Sequence, residues 1–159
     1  MNEIDFYIDT NCVDITGFDS GYRVFNKYLL QSSDSAVTHY ILDAETDEII
    51  AYFSILSSAL LHGDPSNLNA ISAIELKMFA LDKRYHGSDL SSELLDAIIV
   101  TIKHYSNKYV GADVIILYSV PAERVIKLYK SKGFIELGES LTAFKDEFTE
   151  GCVPMYMVL

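Results

Sequence analysis

AIELKMFALDKRYHGSDLSSELL, residues 73–95, is the stretch that decides how this chain folds. Residues 74–81 alternate like a strand, with apolar and polar side chains on opposite faces. A short polar turn follows. Leu90, Leu94, Ala97, Ile98, Thr101 and Tyr105 then recur at helical spacing. A strand, turn and helix in that order aim the free backbone N–H groups of the helix start into the turn, where they suit an anion. Gly87 supplies one conformationally permissive position, and Ser88, Ser91 and Ser92 are small and carry hydroxyls. Asp89 admits two readings. It is a good helix N-cap, or its carboxylate opposes an anion in the turn, by about 1 kcal/mol in water and about 4 at an effective dielectric of 20.

Downstream, residues 114–120 form a nearly continuous apolar run, as in a strand covered on both faces. Pro121 opens a helix running to about Lys132, Gly133 ends it, and residues 134–137 and 153–158 supply final strands. Upstream, residues 6–8 read as a short strand, and Asp19 as the N-cap of a helix with Tyr22, Phe25, Tyr28 and Leu29 on one face. Residues 37–42 and 49–56 are β-rich runs joined by the polar turn DAETDE, a hairpin. Residues 60–69, with Gly63, Asp64, Pro65, Ser66 and Asn67, read as a surface loop. Strands alternating with helices in the second half indicate an α/β fold with a mixed sheet.

At 159 residues the chain fits a single domain, residues 1–159, with a substantial core. Half of it is apolar and 12% aromatic, which places it among globular chains. No run approaches the roughly 18 apolar residues of a membrane span, and the acidic start shows no signal peptide. Two cysteines, Cys12 and Cys152, are too few for a disulfide scaffold, so a reduced cytoplasm is the default compartment. The net charge of −11 disfavours nucleic acid and anionic membranes and suits a cationic substrate. The four histidines have no metal-ligand spacing, and no metal is expected.

Strand alternation puts Glu75, Lys77, Phe79 and Leu81 on one side of the strand. Glu75 is either a solvated or salt-bridged strand residue or a base. Tyr129, in KLYKSKGF at residues 127–134, is either one of 11 tyrosines packing a helix or a proton donor.

The strand–turn–helix and KLYKSKGF together resemble the Gcn5-related N-acetyltransferases. That family's turn pattern is Gln/Arg-x-x-Gly-x-Gly/Ala. Residues 86–91 read His-Gly-Ser-Asp-Leu-Ser, with His86, Asp89 and Ser91 at the three altered positions. The resemblance implies the acyl-CoA N-acyltransferase fold, a seven-stranded mixed sheet flanked by helices that splays between the Ile74 and Val114 strands. It implies acetyl-coenzyme A as co-substrate, with pantetheine entering that gap. Phe79, Ala80 and Leu81 would meet pantetheine, and Gly87, Ser88, Asp89, Leu90, Ser91 and Ser92 the pyrophosphate. Tyr129 aligns with the tyrosine of the F-Y-x-x-x-G-F signature, which protonates the departing thiolate. Glu75 matches the catalytic glutamate of the histone-acetylating branch.

No G-x-S-x-G elbow or Cys/His pairing suggests an acyl-enzyme, so the expected reaction is direct attack by a primary amine. A homodimer stays open. Two other readings compete. A GNAT fold with an altered turn can serve as a non-catalytic binding or assembly module. FDSGYRVFNKYL, residues 18–29, also resembles the F-x-C/S-G-x-x-x-L-x-x-F-L stretch of toxin-type acetyltransferases, which act on aminoacyl-tRNA.

Overall fold

The computed structural model describes residues 4–11, 14–31, 35–138, 141–142 and 149–159, so Cys12 lies outside the described residues. Two compact units form. The first is Met1–Leu56 with Lys77–Ser91, the second Ser57–Leu76 with Ser92–Leu159.

The first unit holds β1 (Phe6–Asp9), α1 (Arg23–Leu30), β2 (Val37–Asp43), the start of β3 (Ile49–Asp64) and the end of β4 (Asn67–Leu81). Its strand order is β1-β2-β3-β4. β2 and β3 pair antiparallel as the expected hairpin, from Val37↔Ile55 to Leu42↔Ile49. Asp43 organises the turn by accepting the N–H groups of Glu45 and Thr46 at 2.8 and 3.0 Å. The core is aromatic. Tyr52, fully buried, meets Phe18 edge-on at 5.5 Å and stacks parallel to Tyr28 at 6.4 Å. Its hydroxyl donates to the Phe25 carbonyl at 2.7 Å, which pins α1 to β3.

The second unit holds the rest of β3 and β4, most of α2 (Leu90–Tyr105), a π-helical turn (Ser106–Val110), β5 (Val114–Ser119), α3 (Glu123–Ser131), β6 (Ile135–Glu136), β7 (Leu141–Thr142) and β8 (Val153–Val158). Its order is β3-β4-β5-β8-β6, with β7 on β3. β4 and β5 are parallel neighbours from Ala73↔Val114 to Leu76↔Leu117, and α2 is the crossover between them. β5–β8 and β6–β8 are antiparallel, so the sheet is mixed as expected. α2 buries Leu90, Leu94 and Ile98 of the stripe its spacing predicts, with Leu95 and Ile102 buried beside them, while Ala97, Thr101 and Tyr105 are half-buried.

Three expectations are corrected. Residues 60–69 are not a surface loop. β3 runs to Asp64, β4 starts at Asn67, and only Pro65 and Ser66 turn. The cluster of turn residues compresses into a tight hairpin because Gly63 adopts φ +106°, where a Cβ would lie 2.5 Å from the Asn67 carbonyl oxygen. Asp19 does not cap α1. The helix starts at Arg23 with Tyr22 in the N-cap position and no side-chain cap, because the Asp19 carboxylate is engaged by other donors. The strand at 134–137 shrinks to Ile135–Glu136. Among the described residues the path β1-β2-β3-β4-β5-β8-β6 has the seven strands expected, and β7 pairs with β3 off that path.

Candidate active site

The first unit carries the turn. β4 delivers Phe79, half-buried, Ala80, buried, and Leu81, half-buried, to a short 3-10 turn at Lys83–Tyr85. Asp82, 1% exposed, anchors the departure. Its carboxylate accepts the N–H of Asp19 at 3.0 Å, the N–H of Arg84 at 2.9 Å and the Arg84 Nε–H at 3.0 Å. Burial raises its pKa. The hydrogen bonds from Arg84 and Asp19 outweigh burial and hold the carboxyl below its usual range.

Asp19 continues the network. Its carboxylate receives Lys83 Nζ at 2.6 Å, Asn26 Nδ2 at 2.8 Å and the Gly21 N–H at 2.8 Å, and its carbonyl accepts the Lys83 N–H at 2.8 Å. These donors, Lys83 first, hold the Asp19 carboxyl far below the ordinary carboxylate range. Ser20, next in the FDSG motif, uses its hydroxyl to bond Asn26 Oδ1 at 2.7 Å. The motif therefore clamps the start of the turn to α1.

Within the turn, Gly87 has φ +81°, the permissive conformation expected of it. Ser88 is tied down, since its hydroxyl donates to the Tyr85 carbonyl at 2.7 Å. Ser91, on the first turn of α2, is half-buried. His86 Nε2 lies 3.1 Å from the Leu81 carbonyl oxygen, one of the backbone groups expected to meet pantetheine. Asp89 precedes α2, is exposed, and accepts no hydrogen bond among the described residues. Leu90, first in the helix, is buried.

The second unit holds Glu75, Tyr129 and Ser92. Glu75 lies on β4 opposite Ile116 and is 8% exposed, which distinguishes it from an ordinary solvated strand carboxylate. Tyr129 lies on the last turn of α3, 9% exposed, its ring edge-on to Phe134 at 5.7 Å. Burial first, and Cys152 second, push its hydroxyl up to about 12. The phenol therefore stays protonated at neutral pH, as a donor must. Gly133, φ +102°, closes α3 by donating its N–H to the Lys130 carbonyl. Ser92 is half-buried on α2.

Sequence reasoning missed Lys83, Arg23 and Lys27 as neighbours of the turn. The i, i+4 spacing of Arg23 and Lys27 was the available signal. Among the described residues no three His, Cys, Asp or Glu side chains cluster as a metal site. No helix is long and apolar enough to cross a membrane among those residues.

No family model and no curated protein matches the chain. Solved structures do. One is a tyrosine-to-phenylalanine mutant of the AtaT toxin bound to the C-terminus of the antitoxin AtaR and acetyl-CoA, at 16% identity and TM-score 0.71 over 97% of this chain and 93% of that one. Another is AtaT complexed with acetyl-methionyl-tRNAfMet, at 18% identity and TM-score 0.69 over 88% and 94%. The KacTA–DNA complex matches at 20% identity and TM-score 0.68 over 97% and 93%. At these identities the likeness is one of fold, and the fold is the acyl-CoA N-acyltransferase fold.

Proposed function

We propose that this chain transfers the acetyl group of acetyl-coenzyme A to a primary amine by direct attack. The observation that carries the reading is the strand–turn–helix at residues 74–105, with Gly87 at positive φ leading into the N-terminus of α2. The chain's fold, met in AtaT bound to acetyl-CoA, supports it. Phe79, Ala80 and Leu81 offer backbone groups to pantetheine, and Gly87 to Ser92 face the pyrophosphate. Glu75, or a water it holds, removes a proton from the ammonium of the acceptor. The freed lone pair attacks the thioester carbonyl, and collapse of the tetrahedral adduct expels the thiolate. Tyr129 returns a proton to that sulfur, and the second proton that the attacking nitrogen loses as the adduct collapses passes back to the phenolate, leaving an acetamide and free coenzyme A. Calorimetric titration with acetyl-coenzyme A tests the reading first. If neither the wild type nor Asp89→Gly binds it, the chain is instead a binding or assembly module on the same fold.

A second reading concerns the amine. The AtaT complex with acetyl-methionyl-tRNAfMet and the FDSG segment at residues 18–21 both favour the α-amine of an aminoacyl-tRNA as the acceptor. The net charge of −11 favours a free cationic amine. Incubation with labelled acetyl-coenzyme A and either a pool of charged tRNAs or a panel of polyamines and lysine peptides separates the two. Label in the tRNA fraction alone would establish the toxin-type substrate, and label in the small amines alone would remove it.

A further inference from the structure

α1 has the sequence RVFNKYLL and no acidic residue, in a chain with 23 acids. Arg23 and Lys27 stand one turn apart on it, both exposed, and neither has a carboxylate partner among the described residues. Like charges at i, i+4 destabilise an isolated helix, so their pairing calls for another reason. They line an open cleft of about 680 Å³ with Lys83, Asn26, Gln31 and Asp19. Lys83 reaches Asp19 at 2.6 Å, which leaves three cations against one carboxylate, a local excess of positive charge on an acidic molecule. Gly21, also in the lining, backs onto the turn. A Cβ built there would sit 3.7 Å from Lys83 Cβ and 3.8 Å from His86 Cε1.

We propose that the cleft lined by Arg23, Lys27 and Lys83 binds a phosphate group. A guanidinium presents a planar fork to two phosphate oxygens, and an ammonium one turn away adds a point charge. Asn26 and Gln31 line the same wall with amide side chains. No residue of α2 and none of residues 87–92 lines the cleft among the described residues, so its phosphate is additional to a pyrophosphate held in the turn. This inference draws on the acetyltransferase reading only for where the phosphate comes from. Two sources share the chemistry, the 3′-phosphate of coenzyme A and the phosphodiester of an RNA acceptor.

The experiment titrates the full chain and Arg23→Ala/Lys27→Ala with pyrophosphate, coenzyme A, dephospho-coenzyme A and a 12-nucleotide RNA ending in CCA. Circular dichroism checks the fold, and Arg23→Lys/Lys27→Arg restores the charge. The expected result is that the alanine variant binds pyrophosphate about tenfold more weakly and the charge-restoring variant recovers it. A matching loss for coenzyme A but not its dephospho form assigns the 3′-phosphate. A loss for RNA with coenzyme A unchanged assigns the phosphodiester. If the wild type binds none of the four, or if the alanine variant binds all of them within about twofold of wild type, the inference is overturned. Failure of acetyl-coenzyme A to bind, with pyrophosphate binding still dependent on Arg23 and Lys27, would remove the acetyltransferase reading and leave this site standing.

Discussion

The buried carboxylate of Asp82 accepts the backbone N–H of Asp19 at 3.0 Å, across 63 residues of sequence. Together with Lys83 on Asp19, it holds the approach to α1 against the turn that follows β4. Asp82→Asn keeps the shape and removes the charge from three hydrogen bonds. Bonds to charged groups contribute roughly 1.5–3 kcal/mol each, so a loss of about 2 kcal/mol is expected in urea unfolding. The sign with pH follows from the depressed pKa. The folded carboxyl lies below its unfolded value, so its contribution is complete above the unfolded value and is lost as pH falls through the folded one. Wild-type stability should therefore drop below about pH 4, and the mutant should lose this part of the acid dependence. An unchanged midpoint in the mutant at neutral pH would contradict the role.

Tyr129→Phe keeps the ring against Phe134 and deletes a hydroxyl that makes no hydrogen bond among the described residues. Stability should stay within about 0.5 kcal/mol of wild type, while turnover falls about 10²–10⁴-fold. Because the hydroxyl is pushed up to about 12, this tyrosine should give no alkaline loss of activity below about pH 11. A midpoint lowered in proportion to activity would mean that the residue is structural.

Glu75→Gln should lower turnover by a similar factor and remove the acidic limb of the rate profile that a carboxylate base produces. Activity of a carboxylate base falls as pH drops through its pKa, and the amide has no such proton to gain. Turnover within about threefold of wild type, with the acidic limb intact, would exclude Glu75 as the base.

Asp89→Gly should tighten acetyl-coenzyme A about tenfold by removing one charge near the start of α2. Because Asp89 is exposed and accepts no hydrogen bond among the described residues, stability should change by only a few tenths of a kcal/mol. Calorimetry on both proteins reads this directly. Unaltered affinity would mean that the carboxylate stays in solvent, away from the cofactor.

Gly63→Ala tests the hairpin. Its φ of +106° and the 2.5 Å approach of a Cβ to the Asn67 carbonyl oxygen together should cost about 1–3 kcal/mol in thermal or urea unfolding. Pro65 lies between them in the turn and tolerates exchange better. Equal stability of the Gly63→Ala variant and the wild type would return residues 60–69 to the loop expected from sequence.

The fold was legible where one period dominates. The 3.6-residue stripe of α2 and the apolar run of β5 each have a single solution, and together they require a parallel pair with a crossover. The hairpin at Gly63 was not legible, because Gly, Asp, Pro, Ser and Asn mark a turn without fixing its length. Asp19 was misplaced for a related reason. An aspartate before a helical pattern suits an N-cap, and only the tertiary approach of Lys83 and Asp82 draws it elsewhere. Tyr129 and Glu75 were named from a motif and a strand face. Their burial, and the upward shift at Tyr129, come from packing that sequence spacing does not encode.

The boundaries of the two units fall at residues 56/57, 76/77 and 91/92, inside β3, β4 and α2. The chain thus passes between them three times without a linker, each time through a regular hydrogen-bonded element. No single cut releases either unit whole. A chain ended at residue 56 lacks the strand end and turn at Lys77–Ser91, and one begun at residue 92 lacks half of the β3–β4 hairpin. During synthesis the first unit cannot be completed until Ser91 has left the ribosome, by which point β4 is waiting for β5. Evolution cannot trade one unit for another by joining genes end to end, so the turn at residues 86–91 is inherited together with Glu75 and Tyr129.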